Sequence, residues 1–232
     1  MFAYRAVLFD FFGTLTCAVR RGPLHATVAR SLGCDPAALA TILDRSFLDR
    51  SRGTFGDAAE TLRWVCAQVG AWPRPDQLRD ALAARVAAIR ADTVLRAAAV
   101  PTLRALRRRD VRTAVVSDCG YELPAFLPQL PVGPLLDEQI YSVHVGQRKP
   151  HPQMYLAACE RLRVAPRECL YVGDGGSHEL SGACDVGMTA VRLAAPDLAA
   201  HLVFDVDAAW TGPTITSLAE TVRLVTGAPV PV

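Results

Sequence analysis

The 232-residue chain has no asparagine and a single lysine, Lys149, against 24 arginines. No segment reaches the roughly 18 uninterrupted apolar residues that a membrane helix needs. The longest uncharged stretch, residues 123–136, carries four prolines. An export signal is not legible either: Asp10 interrupts the only N-terminal apolar run, and no small-residue cleavage site follows. The seven cysteines are odd in number and contain no C-x-x-C pair. That pattern argues against disulfides and a zinc site, and for free, mostly buried thiols in a reducing compartment, so the expected location is cytoplasmic. Excess charge is almost absent, at +2. Neither nucleic acid nor a membrane is therefore an expected partner, and oligomeric state is not legible. The only basic run, Arg107, Arg108 and Arg109, reads as the solvated end of a helix.

What is present suffices for a sizeable core: 51% of residues are hydrophobic and 21% charged. The apolar run Ala6-Val7-Leu8-Phe9 stops at Asp10 and turns at Gly13, as a buried parallel strand does. The next convincing strand covers 111–116, nearly a hundred residues on. A parallel crossover needs only about a dozen residues and its helix, so the excess reads as an insert. Helix signals fill it. Pro23 opens one helix, and Asp35-Pro36 caps another. Asp57 with Glu60 forms a capping box for a helix ending near Gly70. Leu78, Leu82, Val86 and Ile89 make an amphipathic stripe. Residues 50–56 read as a polar, glycine-bearing loop.

Beyond residue 97 helix and strand alternate. A helix begins near Pro101, and an extended segment covers 139–145. A helix follows at 152–162, a strand at 169–172 and a helix at 180–186. Edge strands are expected at 189–193 and 202–204, and a last helix at 217–225. The fold class is α/β, an open parallel sheet with helices on both faces.

In such sheets, sites form beyond the carboxyl ends of the strands. Three apolar runs end in a polar residue there: Phe9 to Asp10, Val116 to Ser117, and Gly173 to Asp174. The lone Lys149, in an arginine-rich chain, marks a position where a compact point charge is wanted.

Four segments then resemble the motifs of the haloacid dehalogenase-like superfamily. They are Phe9-Asp10-Phe11-Phe12-Gly13-Thr14-Leu15, Val116-Ser117-Asp118, Lys149-Pro150-His151-Pro152 and Val172-Gly173-Asp174-Gly175-Gly176-Ser177-His178-Glu179. The resemblance covers nearly the whole chain. It implies a Rossmann-like core formed by residues 1–16 and 97–232, with 17–96 as an inserted all-helical cap domain. It further implies a hydrolase acting on a small phosphorylated metabolite. Asp10 would be the nucleophile that carries the phosphoryl group. Thr14 and Ser117 would hydrogen-bond the phosphoryl oxygens, and Lys149 would neutralise charge. Mg²⁺ would be held by the Asp10 and Asp174 carboxylates and the Phe12 carbonyl, with Glu179 orienting a metal-bound water.

Two positions depart from the family pattern. Phe12 stands where its phosphatases carry the acid that protonates the leaving group, a loss typically worth about 10²–10⁴ in rate. Weak activity on simple alkyl esters is expected, with Asp118, Glu122, His151 and His178 as candidate stand-ins. Asp118 itself replaces a frequent asparagine. An aromatic residue at Phe12 also raises a metal-free dehalogenase as a rival, against which stands the retention of both Asp174 and Glu179. A further rival is a catalytically weak relative that binds a phosphorylated ligand or partner protein. A phosphonate-cleaving mechanism lacks its cap lysine. For substrate contact the candidates are Ser117, Asp118, Lys149, Arg20 and Arg52, with Arg21, His25, Arg50, Tyr121 and Glu122 also within the regions that face a cap.

Overall fold

The computed structural model describes residues 4–201 and 210–227. Six strands, β1 (Ala6–Phe9), β2 (Arg112–Ser117), β3 (Glu138–Tyr141), β4 (Cys169–Gly173), β5 (Thr189–Leu193) and β6 (Thr214–Ile215), form one sheet. Its order is β3-β2-β1-β4-β5-β6 and every pairing is parallel. Successive side chains of a strand point to opposite faces, and the core divides accordingly. Val7, Phe9, Val115, Leu170, Val172 and Val191 pack on one side against α6 (Ala99–Arg107), α7 (Glu122–Phe126) and α11 (Glu220–Val225). Ala6, Leu8, Ala114, Val116, Tyr171 and Ala190 pack on the other against α9 (Pro152–Leu162) and α10 (Glu179–Asp185). With helices on both faces, β1 has no wet side, and all four of its residues are buried.

Between β1 and β2 lies the helical insert: α1 (Leu24–Ser31), α2 (Pro36–Arg45), α3 (Phe47–Arg50), α4 (Ala58–Ala67) and α5 (Pro75–Asp92). It buries a core of its own, including Leu39, Leu43, Leu62, Val65, Leu78 and Ala81. The capping signals act as the sequence suggests. Asp35 accepts the Ala38 N–H at 2.8 Å. Asp57 and Glu60 exchange side-chain and backbone hydrogen bonds at 2.9 Å in both directions. Such caps contribute about 1 kcal/mol each. The chain leaves and rejoins the sheet layer at one point, where the Cys17 N–H donates to the Val94 carbonyl at 2.8 Å and Thr16 bridges Leu95.

Three expectations are corrected. Residues 139–145 are not extended throughout: β3 ends at Tyr141 and one helical turn, α8 (Ser142–Val145), follows. The Ser142 hydroxyl accepts the Cys119 N–H at 2.9 Å, which diverts the chain towards the end of β2. β5 is an interior strand, because β6 covers its outer side. α11 starts at Glu220 rather than 217, since the Glu220 carboxylate accepts the Thr216 and Ser217 N–H groups and closes a turn ahead of the helix. The strand expected at 202–204 lies outside the described residues. All seven cysteines are free and five of them are buried. No helix of the described residues is long and apolar enough to cross a membrane.

Candidate active site

Asp10 follows β1, Ser117 ends β2 and Asp174 follows β4. Because β1 pairs with both neighbours in parallel, these three ends lie side by side. Lys149, from the loop between α8 and α9, enters the same place and is 3% exposed. Its Nζ donates to Asp10 Oδ1 at 2.6 Å and to Glu179 Oε2 at 2.5 Å. Glu179 is fully buried and held from several directions. Its Oε2 accepts the Tyr171 hydroxyl at 2.8 Å, its Oε1 accepts the Gly175 N–H at 3.0 Å, and its own carbonyl accepts the Tyr155 hydroxyl at 2.9 Å.

Carboxylate oxygens of Asp10, Asp174 and Glu179 all lie within 4.8 Å of one another. Three acids in so small a buried volume repel, and one lysine cannot neutralise them. Burial first, and Asp174 next among the groups that oppose ionisation, push the Asp10 carboxyl up against the pull of Lys149. Glu179 is pushed well above the carboxylate range, by burial and then by Asp10 and Asp174, again against Lys149. Burial alone would lower the Lys149 ammonium, but Asp10 and Glu179 more than offset it and raise it well above its ordinary range. An all-oxygen donor set with surplus negative charge fits a hard divalent cation such as Mg²⁺.

The turn after Asp10 is shaped by this crowding. Gly13 has φ +86°, and a Cβ there would meet Asp174 Oδ2 at 2.4 Å and His201 Nε2 at 2.8 Å. His201 Nδ1 accepts the Val19 N–H at 2.9 Å, so the ring proton is on Nε2, which faces Asp174 Oδ2 at 3.5 Å.

Thr14 and Ser117 are buried, and among the described residues neither hydroxyl has a hydrogen-bond partner. Orphaned buried hydroxyls are uncommon and call for an explanation. Asp118, a candidate for substrate contact, lies in the same place and also makes a structural hydrogen bond. Its Oδ1 accepts the Lys149 backbone N–H at 2.9 Å, tying the second motif to the third.

A cavity of about 200 Å³ opens over Asp10, Asp118, Lys149, Asp174 and Glu179. Phe12 lines it and is half-buried. From the insert, Leu43, Phe47 and Ile89 supply apolar wall, and Arg21, His25, Arg50 and Arg85 supply polar wall. Arg20 and Arg52 are not brought here. Both are exposed, and Arg52 lies 4.0 Å from Asp49. Arg50, expected in a polar loop, ends α3 and is 8% exposed. His151 is exposed and caps α9, where its Nδ1 accepts the Gln153 N–H at 3.2 Å; it does not line the cavity.

Sequence reasoning missed Tyr171, Tyr155 and His201. The tyrosines sit in apolar runs and look like core, and His201 stands in no motif. Only Tyr171 left a trace, as the one polar-tipped residue in the strand Cys-Leu-Tyr-Val-Gly.

A family model for haloacid dehalogenase-like hydrolases matches residues 4–187. Among curated relatives, a glyceraldehyde 3-phosphate phosphatase of Methanopyrus kandleri is 34% identical over 95 residues, 40% of this chain and 41% of that protein. A haloacid dehalogenase-like hydrolase domain-containing protein 3 of Bos taurus is 30% identical over 96 residues, 41% of this chain and 38% of that protein. The chain thus spans less than half the length of these relatives. Among solved structures, the L-2-haloacid dehalogenase from Xanthobacter autotrophicus superposes with a TM-score of 0.67 at 21% identity, covering 97% of this chain and 100% of that one. A HAD phosphatase from Thermococcus onnurineus gives 0.62 at 23% identity, covering 96% and 98%. At those identities the likeness is one of fold.

Proposed function

Since the chain belongs to the haloacid dehalogenase-like hydrolases, we propose that it is a Mg²⁺-dependent phosphatase that releases phosphate from a small phosphorylated metabolite through an aspartyl phosphate on Asp10. One observation carries the choice: Asp10, Asp174 and Glu179 place three buried carboxylates within 4.8 Å, and Lys149 compensates only one charge. A monoanionic haloacid has no use for that surplus, whereas a cation-bound phosphate ester does. Similarity to phosphatases supports the reading.

In this reading Asp10, Asp174 and the Phe12 carbonyl hold the metal, which when bound offsets the charge on the nucleophile and on the phosphoryl group. The Lys149 ammonium holds Asp10 in place through its 2.6 Å hydrogen bond and leaves one oxygen, Oδ2, to attack phosphorus. Thr14 and Ser117 offer their orphaned hydroxyls to the phosphoryl oxygens. Forming the aspartyl phosphate, with release of the alcohol, and then hydrolysing that mixed anhydride with water splits one difficult displacement into two easier ones. Phe12 supplies no proton to the leaving group, so substrates whose leaving oxygen needs none are favoured. Residues 17–96 act as a cap that closes the cavity against water.

The test is phosphate release from p-nitrophenyl phosphate with and without Mg²⁺, run beside chloride release from 2-chloropropionate. Metal-dependent phosphate release supports the proposal. Metal-independent chloride release would identify a dehalogenase, and no turnover of either would identify a binding protein.

A further inference from the structure

On the insert side of the cavity, two arginines and a histidine have acidic neighbours. Arg21 Nη2 meets Asp44 at 2.6 Å, His25 Nε2 meets Asp92 at 3.0 Å and Arg85 Nη2 meets Glu122 at 2.5 Å. Arg50 does not. Among the described residues no carboxylate lies within 4.0 Å of its guanidinium, and Glu122 and Asp44 act on it only at longer range. Two hydrogen bonds hold it: Nε donates to Ser46 Oγ at 3.1 Å and Nη2 to the Leu43 carbonyl at 2.7 Å. They use two of the five N–H groups of a guanidinium. The Phe47 ring lies 6.0 Å from Cζ. Phe12, Leu43, Phe47, Ile89 and Leu123 give the same cavity an apolar part of its wall.

Burial first, and Arg85 next, lower the Arg50 pKa to about 10, which registers how poorly its charge is compensated. A cation kept in such a place with spare donors suits an anion that arrives with the ligand. A planar carboxylate matches the guanidinium fork in shape and charge. A second phosphate would bring two negative charges to one cation.

We propose that Arg50 is a specificity-determining residue that binds a carboxylate on the leaving group, so that the substrate is a phosphorylated hydroxy acid with an apolar frame. The proposal rests on the phosphatase reading for the position of the leaving group, and it assigns to Arg50 a role that the reaction at Asp10 does not require.

Two measurements test it. The first compares kcat/KM with Mg²⁺ for 4-carboxyphenyl phosphate and its neutral counterpart 4-carbamoylphenyl phosphate. The second compares calorimetric binding of phosphate-free 4-hydroxybenzoate and 4-hydroxybenzamide, which needs no turnover. The acid is expected to be preferred at least about tenfold in both, as a charge-assisted bidentate contact provides. Arg50→Lys should retain part of that ratio and Arg50→Met should bring it near one. A wild-type ratio near one overturns the proposal, as does an unchanged ratio in Arg50→Lys and Arg50→Met. Arg50 also holds the end of α2, so if Arg50→Met does not fold, the wild-type and Arg50→Lys ratios decide. Preference for 1,4-phenylene bisphosphate over the carboxylate ester overturns the carboxylate assignment. Absence of phosphate release from every ester, with the binding preference intact, overturns the phosphatase reading and leaves only the Arg50–carboxylate contact standing.

Discussion

Arg85 of the insert and Glu122 of the sheet layer meet through two hydrogen bonds to a single oxygen, Nε to Oε1 at 2.9 Å and Nη2 to Oε1 at 2.5 Å. Both side chains are largely buried, at 8% and 16% exposure. The contact joins α5 to the start of α7, directly behind the second motif, and it lines the cavity over Asp10.

Burial by itself pushes the Glu122 carboxyl up, but Arg85 and then Arg50 pull harder and leave it below its ordinary value of 4.5. A carboxyl with a depressed folded-state pKa contributes stability above its unfolded pKa and loses it as pH falls through the folded value. Between about pH 4.5 and that lower value the unfolded chain binds the extra proton, so stability declines with acid. Thermal unfolding from pH 6 to pH 3 should therefore show a steeper loss of Tm in wild type than in Glu122→Gln. At pH 7 the variant should have the lower Tm, because Arg85 is then buried without its counter-ion. Parallel pH profiles would remove the pair from this account.

Asp10→Asn is expected to abolish turnover, because an amide oxygen is a poor nucleophile and forms no acyl phosphate. Phe12→Asp should preserve or raise activity on poor leaving groups, by at least about tenfold if the new carboxyl reaches the leaving oxygen. Rates on p-nitrophenyl and alkyl phosphates measure both. An unaffected Asp10→Asn enzyme would remove the mechanism.

Chelation with EDTA should bring phosphate release to background, and Mg²⁺ should restore it. Mg²⁺ should also raise the Tm of wild type, since a ligand that binds only the folded state stabilises it. That shift should vanish in Asp174→Asn. A Tm indifferent to Mg²⁺ up to millimolar concentration would contradict the proposed cation site.

Gly13→Ala combines a left-handed backbone with a Cβ 2.4 Å from Asp174 Oδ2. Strain of this kind costs about 1–3 kcal/mol. The variant should unfold at lower urea concentration and lose Mg²⁺-dependent activity together, read by denaturation midpoints and phosphate release. Gly33→Ala, also left-handed but with open space around it, should cost stability alone.

Local chemistry made much of this protein legible before any fold was known. The run Ala6-Val7-Leu8-Phe9 is buried from end to end, as an uninterrupted apolar strand must be. Pro152 to Leu162 and the Asp57 capping box stand where their residue types placed them, because caps and breakers act within one turn. Asp10, Lys149, Asp174 and Glu179 were marked by their positions at strand ends, by rarity and by motif, and they converge. Short elements were read less well. The Ser142–Val145 turn exists because a hydroxyl from one loop bonds a backbone amide of another, which no local pattern encodes.

The sequence by itself therefore determined the longer strands and helices and the acids at the strand tips, since periodicity, capping and chain order are local properties. Tertiary structure alone decided which charges lack a counter-ion. Arg50 and Arg52 stand two residues apart and look alike as text, yet one is buried against the cavity and the other lies in solvent. It likewise decided that Tyr171 and His201 join the acids, and that Asp118 serves the Lys149 backbone. Burial and distance between remote residues arise only when the insert and the sheet pack together, and these quantities set the electrostatics of the site.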